Sequence, residues 1–564
     1  MYPVSSAKGK GRGGYPHYLL VFTATKLVLP HCKEMGLWGM RTFSRLIGCL
    51  ALWVGSCFGA GPKFEGTPTL VPNPNPAAPQ AGILTFEAAQ KVKTTLRAAS
   101  GDHEFEQEFG TESDPADGLA VVGMRPDRTY RVEVVITDAS GTTTYDRTLT
   151  LVSPALPDRP ELMPSTEVEV HDARKMEGGY TLFNPRRRIP LVVADAISAE
   201  SEFNANFGML LVVDSAGEVV WQYRSESRIT DYRPISNGNI VFITADNRLV
   251  KIDTLGNTVA SWCARFRPEN REGQCPEGSI PVDVETIHHS FHEYPNGDFL
   301  ILSSEIRIPD YYTSETDAYA PRKTTEVVGD VVLRMTREGE ILWQWKAFDH
   351  LDPFQIGYLT YSNYWARRGF PNTADWSHAN AVRIVDDGAS FLVNFRLISG
   401  IAKVDVETQD IKWMATSDPE KLGLEWKHPT FKLADGDDWF WMPHAPWITD
   451  RGTLLLFNND NFGARPFDKS LPPSAIRSRA EEYAFDEEKL EMRKIWQSRF
   501  PGEEPLRSWA MGSVQPLDNG NVLAGYGLML VEENIYSITW PERLGHPAWT
   551  QIREYDRSDP APVV

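Results

Sequence analysis

Short apolar segments alternate with glycine-containing turns along most of the chain. One unit, a turn followed by an apolar strand, occurs five times: SNGNIVFIT from Ser236, PNGDFLILS from Pro295, DDGASFLVN from Asp386, DRGTLLLFN from Asp450 and DNGNVLAGY from Asp518. Asn-Gly and Asp-Gly pairs favour tight hairpins, because glycine tolerates a positive φ. We interpret the five apolar runs as the inner strands of a repeated β-unit.

A second unit, in which a turn joins a strand to a tryptophan-bearing strand, alternates with the first. Its copies are LLVVDSAGEVVWQY, VVLRMTREGEILWQW and IAKVDVETQDIKWM, with looser copies LVKIDTLGNTVASW and YAFDEEKLEMRKIWQ. Together the two units give about four strands per repeat at irregular spacing, which is typical of a β-propeller with insertions. With a degenerate first copy around GYTLFNPRRRIPLVV, they predict an all-β, six-bladed propeller over residues 166–564. The repeated tryptophan is interpreted as a packing residue between blades.

Residues 61–165 carry strand patterns of a different kind. The runs ILTFEA, KVKTTLRA, TYRVEVVITD and TTTYDRTLTLV lie between a Pro/Asn-rich linker and the proline-rich segment LVSPALPDRPELMP. Their length and spacing predict a small N-terminal β-sandwich domain.

Residues 1–60 contain the pattern of an export signal. Arg41 and Arg45 precede an apolar run from Leu46 to Val54, and Val-Gly-Ser follows as a cleavage site. The run is too short to span a bilayer. We therefore predict an exported, periplasmic protein with no transmembrane span, and residues 1–39 as a mis-called start or an extension. An alternative is a lipoprotein anchored at Cys57.

The net charge limits the class of binding partner, and the cysteine positions predict a disulfide. The formal net charge of −19 argues against a nucleic-acid partner, although a pocket can still attract a small anion. Three of the five cysteines lie in residues 1–60. Cys263 and Cys275 flank a polar loop, and in an exported chain such a pair predicts a disulfide.

Histidines stand before three of the turn-and-strand units. His288 and His289 precede PNG, His378 and Asn380 precede DDG, and His444 precedes DRG. His289 and His444 each lie eight residues before the glycine of their turn. Because the corresponding positions of propeller blades surround one channel, we expect these side chains to converge.

Arg396 follows the apolar run of the His378 repeat, where a guanidinium is costly unless it meets an anion. An ion pair with a carboxylate is the alternative. Three histidines and an arginine could bind a metal, bind an anion without turnover, or include a nucleophile with charge-stabilising neighbours. Since the arginine would repel a divalent metal, we predict no metal and favour an oxyanion such as sulfate.

Five segments, in chain order, resemble the bacterial arylsulfate sulfotransferases: HHSFHEYPNGDFLIL, DWSHANAVRI, FRLISGIAKVD, PHAPWITDRGTLLLFNND and SRAEEYAFDEE. The segment from Pro62 to Pro157 resembles the N-terminal domain of that family. The resemblance implies a six-bladed propeller, periplasmic export, a homodimer, and ping-pong transfer that does not use an adenylyl sulfate donor. It implies no cofactor, and the chain has no GxxxxGK[ST] phosphate loop.

The resemblance also implies roles for individual residues. His444 matches the nucleophile that becomes sulfated, and His378 with Asn380 matches a His-x-Asn pair. Arg396 matches a sulfate-binding arginine. One of the two adjacent histidines before PNG matches the remaining site histidine, and the register favours His289.

The expected reaction moves a sulfuryl group from an aryl sulfate to a phenol. His444 would attack sulfur, while Arg396, Asn380 and His289 hold the sulfuryl oxygens and His378 or His289 moves the phenolic proton. The expected apolar wall for the phenol ring consists of Trp376, Phe440, Trp441 and Trp447.

The sequence departs from the pattern of that family in three places. Pro446 follows the nucleophile motif, the Cys263–Cys275 loop is further from that motif than the family's disulfide, and the insertions PDYYTSETDAYAPRK and YLTYSNYWARRGFPNTADW would reshape the pocket mouth.

The rival functions are a non-catalytic propeller that binds a partner or sulfated ligand, a quinone-dependent dehydrogenase propeller, and an aryl sulfate hydrolase.

Overall fold

The computed structural model describes residues 19–27, 32–34, 61–159, 162–164, 166–187, 206–267, 273–362, 364–417, 426–499, 505–530, 548–558 and 562–564. These residues are mostly strands and turns. No helix among them is long and apolar enough to cross a membrane. The segment that carries the export-signal pattern, including Cys57, lies outside the described residues.

The N-terminal strands include two short segments from within residues 1–60. The strands are β1 (Leu19–Leu27), β2 (Cys32–Glu34), β3 (Phe64–Pro72), β4 (Gly82–Ala88), β5 (Lys93–Ser100), β6 (His103–Phe109), β7 (Leu119–Val121), β8 (Thr129–Thr137) and β9 (Thr143–Val152).

The strands of the C-terminal region follow, in chain order. They are β10 (Tyr180–Arg187), β11 (Gly208–Val213), β12 (Val219–Ser225), β13 (Ile229–Pro234), β14 (Ile240–Thr244), β15 (Arg248–Ile252), β16 (Thr258–Ala264), β17 (Ile280–Val282), β18 (Phe291–Glu293), β19 (Phe299–Arg307), β20 (Asp310–Tyr311), β21 (Lys323–Thr324), β22 (Glu326–Met335), β23 (Ile341–Lys346), β24 (Thr373–Asp375), β25 (Ala379–Val385), β26 (Ser390–Phe395), β27 (Gly400–Asp405), β28 (Ile411–Thr416), β29 (Lys432–Leu433), β30 (His444–Ile448), β31 (Leu454–Asn458), β32 (Arg479–Asp486), β33 (Glu491–Gln497), β34 (Ser508–Ala510), β35 (Ser513–Pro516), β36 (Val522–Leu530) and β37 (Ala548–Tyr555).

Helical structure is limited to single turns in the described residues. The helix α1 spans Ala347–His350, and short 3₁₀ turns span Pro115–Asp117, Ala366–Arg368, Asp386–Gly388 and Pro473–Ala475.

The N-terminal domain consists of two sheets. One has the order β2-β6-β5-β8-β9 and the other the order β3-β4-β7. Alternate residues of β8 are buried, beginning with Tyr130 and Val132, as expected for strands with one face toward a core. This core continues into the first propeller sheet through Tyr180 and Trp221. Arg125 Nε also donates to Asp214 Oδ2 across the two regions, at 2.6 Å.

The C-terminal region contains six sheets of four or five strands among the described residues, antiparallel except that β17, β24 and β29 each pair in parallel. Their orders are β1-β10-β11-β12, β13-β14-β15-β16-β17, β18-β19-β22-β23 with β24 beside β22, β25-β26-β27-β28, β30-β31-β32-β33-β29, and β34 and β35 beside β36 followed by β37. The first strands of successive sheets contact one another: β1 with β13, β18 with β25, β25 with β30, β30 with β35, and β35 with β1. Arg233 Nε on β13 donates to Phe291 O on β18. This closure around a central channel is the arrangement of a propeller.

Two strands from within residues 1–60 belong to these domains. β1 pairs with β10 in the first propeller sheet, and β2 pairs with β6 in the sandwich. The prediction of a cleaved leader over 1–60 stays a prediction, and cleavage would remove β1 and β2.

The five turn-and-strand repeats form the second strand of five of the six sheets, not the inner strand expected from sequence. β14, β19, β26, β31 and β36 follow the five turns, and the strand before each turn lies nearest the channel. The physical reason is burial. Second strands are covered on both sides and have the strongest apolar pattern, whereas inner strands carry the polar side chains of the channel.

The repeated tryptophans join neighbouring sheets, as predicted. In three sheets the indole of the outer strand donates to a carbonyl in a turn of the next sheet, and all three rings are buried. The bonds are Trp221 Nε1 to Thr254 O (2.8 Å), Trp262 Nε1 to Arg337 O (2.9 Å) and Trp345 Nε1 to Gln409 O (3.1 Å).

Replacing Trp345 with alanine is expected to lower the free energy of unfolding by about 3–5 kcal/mol, because the cavity would lie between two blades. Trp549, which is 38% exposed, provides the matched control, and its alanine variant should change stability by no more than ~0.5 kcal/mol. Denaturant unfolding followed by tryptophan fluorescence measures both values. Equal losses in the two variants would contradict the packing role.

The predicted disulfide is present. Cys263 and Cys275 are bonded, with their Cα atoms 5.9 Å apart. The bond closes the loop after β16, in the second propeller sheet.

Candidate active site

The three predicted histidine positions occupy equivalent places in three successive sheets. His289 and His378 lie just before β18 and β25, and His444 begins β30. His289 and His378 have positive φ angles of 53° and 50°, and Ala445, next to His444, has 48°. Left-handed backbone is uncommon for residues with a Cβ and costs energy. This shared strain turns the chain just where each inner strand meets the channel.

His289, His378 and Tyr364 form one ring cluster. The ring centroids of His289 and His378 are 4.9 Å apart, and those of Tyr364 and His378 are 4.4 Å apart. Tyr364 stacks nearly parallel to His289, with an interplanar angle of 19°. Its hydroxyl oxygen lies 3.0 Å from His289 Nε2 and 3.3 Å from Nδ1. At this angle the hydroxyl lies over the imidazole face, and no other partner for it occurs among the described residues.

A carboxylate orients His378. Asp375 Oδ2 lies 2.5 Å from His378 Nδ1, and the other carboxylate oxygen accepts the indole N–H of Trp365 at 2.9 Å. An ionised carboxylate only accepts, so the Nδ1 of His378 carries the proton and Nε2 faces away from Asp375. Burial lowers the pKa of His378 below its usual value, and Asp375 opposes this shift only in part.

An amide orients His444. Asn459 Nδ2 donates to the carbonyl oxygens of Ser508 (3.0 Å) and Met511 (2.9 Å). Its Oδ1 is therefore the atom 2.6 Å from His444 Nδ1, and it can only accept. The proton of neutral His444 consequently resides on Nδ1, which leaves the lone pair of Nε2 free.

Burial keeps His444 neutral. The side chain is 8% exposed, and burial together with the positive charge of Arg396 lowers the pKa of His444 to about 3. At neutral pH the Nε2 atom is therefore an unprotonated nitrogen in the electrostatic field of a guanidinium.

The adjacent pair His288 and His289 divides into an inner and a channel-facing residue. His288 Nε2 lies 3.0 Å from the carbonyl oxygen of Ser303, which can only accept, so this nitrogen carries the proton. Burial lowers the pKa of His288 to about 3 and that of His289 well below its usual value. The 2.9 Å contact between the two Nδ1 atoms then requires the proton on His289. Neutral His289 thus presents an unprotonated Nε2 and has no N–H left for an anion.

Arg396 has an unused donor. Its side chain is 6% exposed, and its Nε has no hydrogen-bond partner among the described residues. Nη2 makes only a long bond, 3.4 Å, to the carbonyl of Trp509. The backbone N–H donates to His378 O at 3.1 Å, which fixes Arg396 beside the ring cluster. A buried guanidinium without a carboxylate partner is costly unless an anion binds it.

Asn380 supports the backbone before His444. Its Nδ2 donates to the carbonyl of Pro443 at 3.0 Å, and its Oδ1 accepts from Asn394 Nδ2 at 2.5 Å. Asn394 also donates to Pro443 O, at 2.7 Å. Two amides thus hold the residue before the histidine, and one N–H of Asn380 remains for a ligand.

A metal centre is not formed by the described residues. Among them, no group of three or more His, Cys, Asp or Glu side chains is placed to hold a metal ion. The donors at this site are one guanidinium, one hydroxyl and one amide N–H, a set that complements an oxyanion.

Two family models match the chain. The model described as Arylsulfotransferase (ASST) matches residues 165–564, and the model described as Arylsulfotransferase Ig-like domain matches residues 69–154. This chain belongs to the arylsulfotransferase family. Membership implies a sulfotransferase enzyme, and the family acts on aryl sulfates and phenols. The predicted all-β propeller with a small N-terminal β-domain is confirmed.

Solved structures similar to this chain have low sequence identity to it. No curated protein matches the chain. A protein of unknown function from Bacteroides caccae is 9% identical, with 72% of this chain and 93% of that one covered and a TM-score of 0.29. The Cps50 (Swd1) β-propeller domain of Myceliophteria thermophila is 10% identical, with coverages of 67% and 84% and a TM-score of 0.29. A putative 6-phosphogluconolactonase from Bacteroides uniformis is 9% identical, with coverages of 84% and 95% and a TM-score of 0.28.

Four residues of this candidate site were not predicted from sequence: Asp375, Asn459, Tyr364 and Arg368. Asp375 lies three residues before His378, a spacing that could have suggested the pair. Asn459 and Tyr364 reach the histidines only through tertiary contacts. Arg368 packs over the Tyr364 ring, 3.6 Å from its centroid, and donates from Nη1 to the Tyr364 carbonyl at 3.1 Å. Tyr364 is thus held between a guanidinium and His289.

The aromatic residues expected to line the pocket of the arylsulfotransferase mostly pack elsewhere. Trp376 is fully buried and stacks on Phe348, with centroids 4.6 Å apart. Phe440 is also fully buried and contacts Tyr483. Trp447 lies under the guanidinium of Arg383. Trp441 remains partly exposed.

Proposed function

We propose that this protein transfers a sulfuryl group from an aryl sulfate to a phenol in two steps, through a sulfated His444. One observation supports this most. Asn459 holds the only proton of neutral His444 on Nδ1, which leaves Nε2 free, and the charge of Arg396, whose buried Nε has no partner among the described residues, acts on this histidine. A nucleophile and an unsatisfied anion-binding donor at one place are what transfer of an anionic group requires.

In the first step His444 Nε2 attacks sulfur. The Nε2–S bond forms while the bond between sulfur and the aryl oxygen breaks, and the electron pair leaves with the phenolate. The phenolate takes a proton from Nε2 of protonated His378, whose charge Asp375 stabilises. Arg396 binds the sulfuryl oxygens, which carry the negative charge throughout.

In the second step an acceptor phenol reverses this sequence. Its oxygen bonds to sulfur while the Nε2–S bond breaks, and the electron pair returns to His444. His378 Nε2 takes the phenolic proton. In the next catalytic cycle His378 donates this proton to the departing phenolate. Asp375 resembles the carboxylate of a catalytic triad in holding the imidazole in the tautomer that can accept at Nε2.

In this proposal the hydrogen bond to the sulfuryl oxygens that was expected from His289 is donated by Tyr364 instead. The His288 contact uses the N–H of His289, whereas the Tyr364 hydroxyl has no in-plane acceptor among the described residues. Burial raises the pKa of Tyr364, so its hydroxyl stays protonated. We assign this hydroxyl to the sulfuryl oxygens, with His289 and Arg368 positioning its ring.

Replacing Tyr364 with phenylalanine is expected to lower kcat/KM for aryl sulfate donors by roughly 10²-fold, the usual effect of removing one oxyanion donor. The loss should be the same for donors with good and poor leaving groups, because the hydroxyl binds the sulfuryl group and not the departing oxygen. A loss that grows with leaving-group pKa would assign proton donation to Tyr364. An unchanged rate would remove it from the mechanism.

The proposal is tested by separating the two steps. The protein is mixed with 4-nitrophenyl sulfate alone, and the release of 4-nitrophenol is followed together with intact mass. We expect one equivalent of phenol, one added sulfuryl group that peptide mapping assigns to His444, and turnover only after a phenol is added. Continued turnover without acceptor identifies an aryl sulfate hydrolase, and no phenol release at all contradicts both enzyme activities.

We further propose that the protein is exported to the periplasm, with the Cys263–Cys275 disulfide as support, because such bonds persist in oxidising compartments. The N-terminal sequence and mass of the mature protein would show cleavage near Ser56 or lipidation at Cys57. The homodimer that the resemblance implies is checked by light scattering on the purified protein.

A further inference from the structure

The inner strands carry a second cluster of polar side chains beyond the histidine site. Asp231 and Arg233 lie on β13, His292 on β18 and Arg383 on β25, and we call these four residues the Arg233–Arg383 cluster. They belong to three successive propeller sheets. A strand rises by about 3.3 Å per residue. The spacings from His289 to His292 and from His378 to Arg383 therefore put the cluster roughly 10–16 Å from the histidine site along the channel.

Arg383 is buried without a carboxylate partner. It is 8% exposed, its Nε donates to the carbonyl of Pro446 at 3.1 Å, and its guanidinium lies 3.2 Å from the centroid of Trp447. Among the described residues, its two terminal nitrogens have no hydrogen-bond acceptor. Burial and the nearby charge of Arg233 lower the pKa of Arg383 well below its usual value.

Arg233 and His292 bring further donors. Arg233 Nε donates to Phe291 O at 2.7 Å and Nη2 to Ser290 Oγ at 3.2 Å, which leaves Nη1 without a partner among the described residues. His292 Nδ1 accepts the backbone N–H of Ile384 at 2.8 Å. The proton of neutral His292 is therefore on Nε2, and no described residue accepts it.

The cluster has too little negative charge for its cations. Its one carboxylate, Asp231, is 4% exposed and lies 3.8 Å from Arg233 Nη2. Burial raises the pKa of Asp231 to about 6, so at mildly acidic pH even this charge is partly lost. Two largely buried guanidinium groups against one carboxylate leave an uncompensated positive charge, which is costly without an anion.

We propose that the Arg233–Arg383 cluster is a second anion-binding site in the propeller channel, selective for small oxyanions of the sulfate, phosphate or carboxylate class. Arg383, Arg233 and His292 supply N–H donors from three sheets, and Trp447 supports the guanidinium of Arg383 from a fourth. The occupant is either a free ion or an anionic substituent of an aryl ligand that extends along the channel. The proposal does not depend on sulfuryl transfer.

The test is equilibrium binding of sodium sulfate, measured by calorimetry at low ionic strength. Arg396→Met removes the anion donor of the histidine site and should leave one saturable sulfate-binding event. Arg383→Met in that background should weaken the remaining affinity at least tenfold, while Arg383→Lys should retain part of it. Arg334→Met is the matched control, because Arg334 is already paired with Asp298 at 2.6 Å, and it should leave binding unchanged.

Further arms identify the occupant and guard against misfolding. Phosphate and acetate titrations rank the free oxyanions, and 4-sulfobenzoate tests whether an aromatic anion binds more tightly than a free ion. Circular dichroism checks each variant, and Arg233→Met replaces Arg383→Met if that variant does not fold. Loss of all saturable sulfate binding in Arg396→Met alone would overturn the second site, as would equal binding by Arg396→Met and the double variant. Because no turnover is measured, a failure of the proposed transfer reaction would leave this result unchanged.

Discussion

Replacing His444 with alanine is expected to lower sulfuryl transfer by roughly 10⁴–10⁶-fold, the range found when a covalent nucleophile is removed. The imidazole supplies the nitrogen of the proposed N–S bond, and Asn459 keeps that nitrogen, Nε2, unprotonated by accepting the hydrogen bond from Nδ1–H. Stopped-flow release of 4-nitrophenol and intact mass after donor alone measure the loss. The variant should show neither a burst nor a sulfuryl adduct.

A partly buried histidine outside the site provides the control for His444. His428 donates from Nε2 to the carbonyl of His350 at 2.7 Å, and His428→Gln should transfer at a near-normal rate. Added imidazole should restore part of the donor cleavage in His444→Ala, because this small nucleophile can occupy the vacated space and accept the sulfuryl group. A normal burst in His444→Ala, with the adduct on His289 or His378, would assign the nucleophile to that residue instead.

Replacing Asp375 with asparagine is expected to lower turnover with a phenol acceptor by roughly 10²–10⁴-fold, the range of general acid–base catalysis. Trp365 Nε1 needs an acceptor from residue 375, so the amide oxygen should face the indole and the amide N–H₂ should face His378. His378 would then carry its proton on Nε2 and could not take the phenolic proton.

The two half-reactions separate this effect from a loss of structure. Asp375→Asn should still release the first equivalent of 4-nitrophenol, since that leaving group needs little protonation, and should then stop as the sulfated enzyme. In Asp375→Asn, acceptors of lower pKa should recover turnover, because their phenolates need no base, whereas a structural defect would slow all acceptors equally. Equal rates for wild type and variant would exclude His378 as the base.

Much of the fold could be predicted from the sequence because its repeats have local physical causes. Glycine in the turns and apolar runs after them produce strands in any context, and the indoles of Trp221, Trp262 and Trp345 link neighbouring sheets as expected. The order of strands within a blade was predicted wrongly. The strongest apolar pattern belongs to the strand with the most burial, and this is the second strand.

The site residues show a similar division. His289, His378 and His444 stand at equal places in their repeats, and that register put them at one channel. Arg396 was notable as a charge after an apolar run. Sequence spacing says nothing about which nitrogen carries a proton, since that depends on partners such as Ser303 and Asn459, which are distant in the chain.

The sequence by itself determined a repeated β-architecture and the equivalent positions of three histidines, because periodicity, turn chemistry and register are properties of neighbouring residues. The family was indicated separately, by the resemblance of five segments. Only the tertiary structure decided that Asp375 and Asn459 set the tautomers, that Tyr364 is the hydroxyl at the site, and that Arg233 and Arg383 meet with one carboxylate. These features arise where side chains from different blades desolvate one another, and the resulting burial and pairing set their charges.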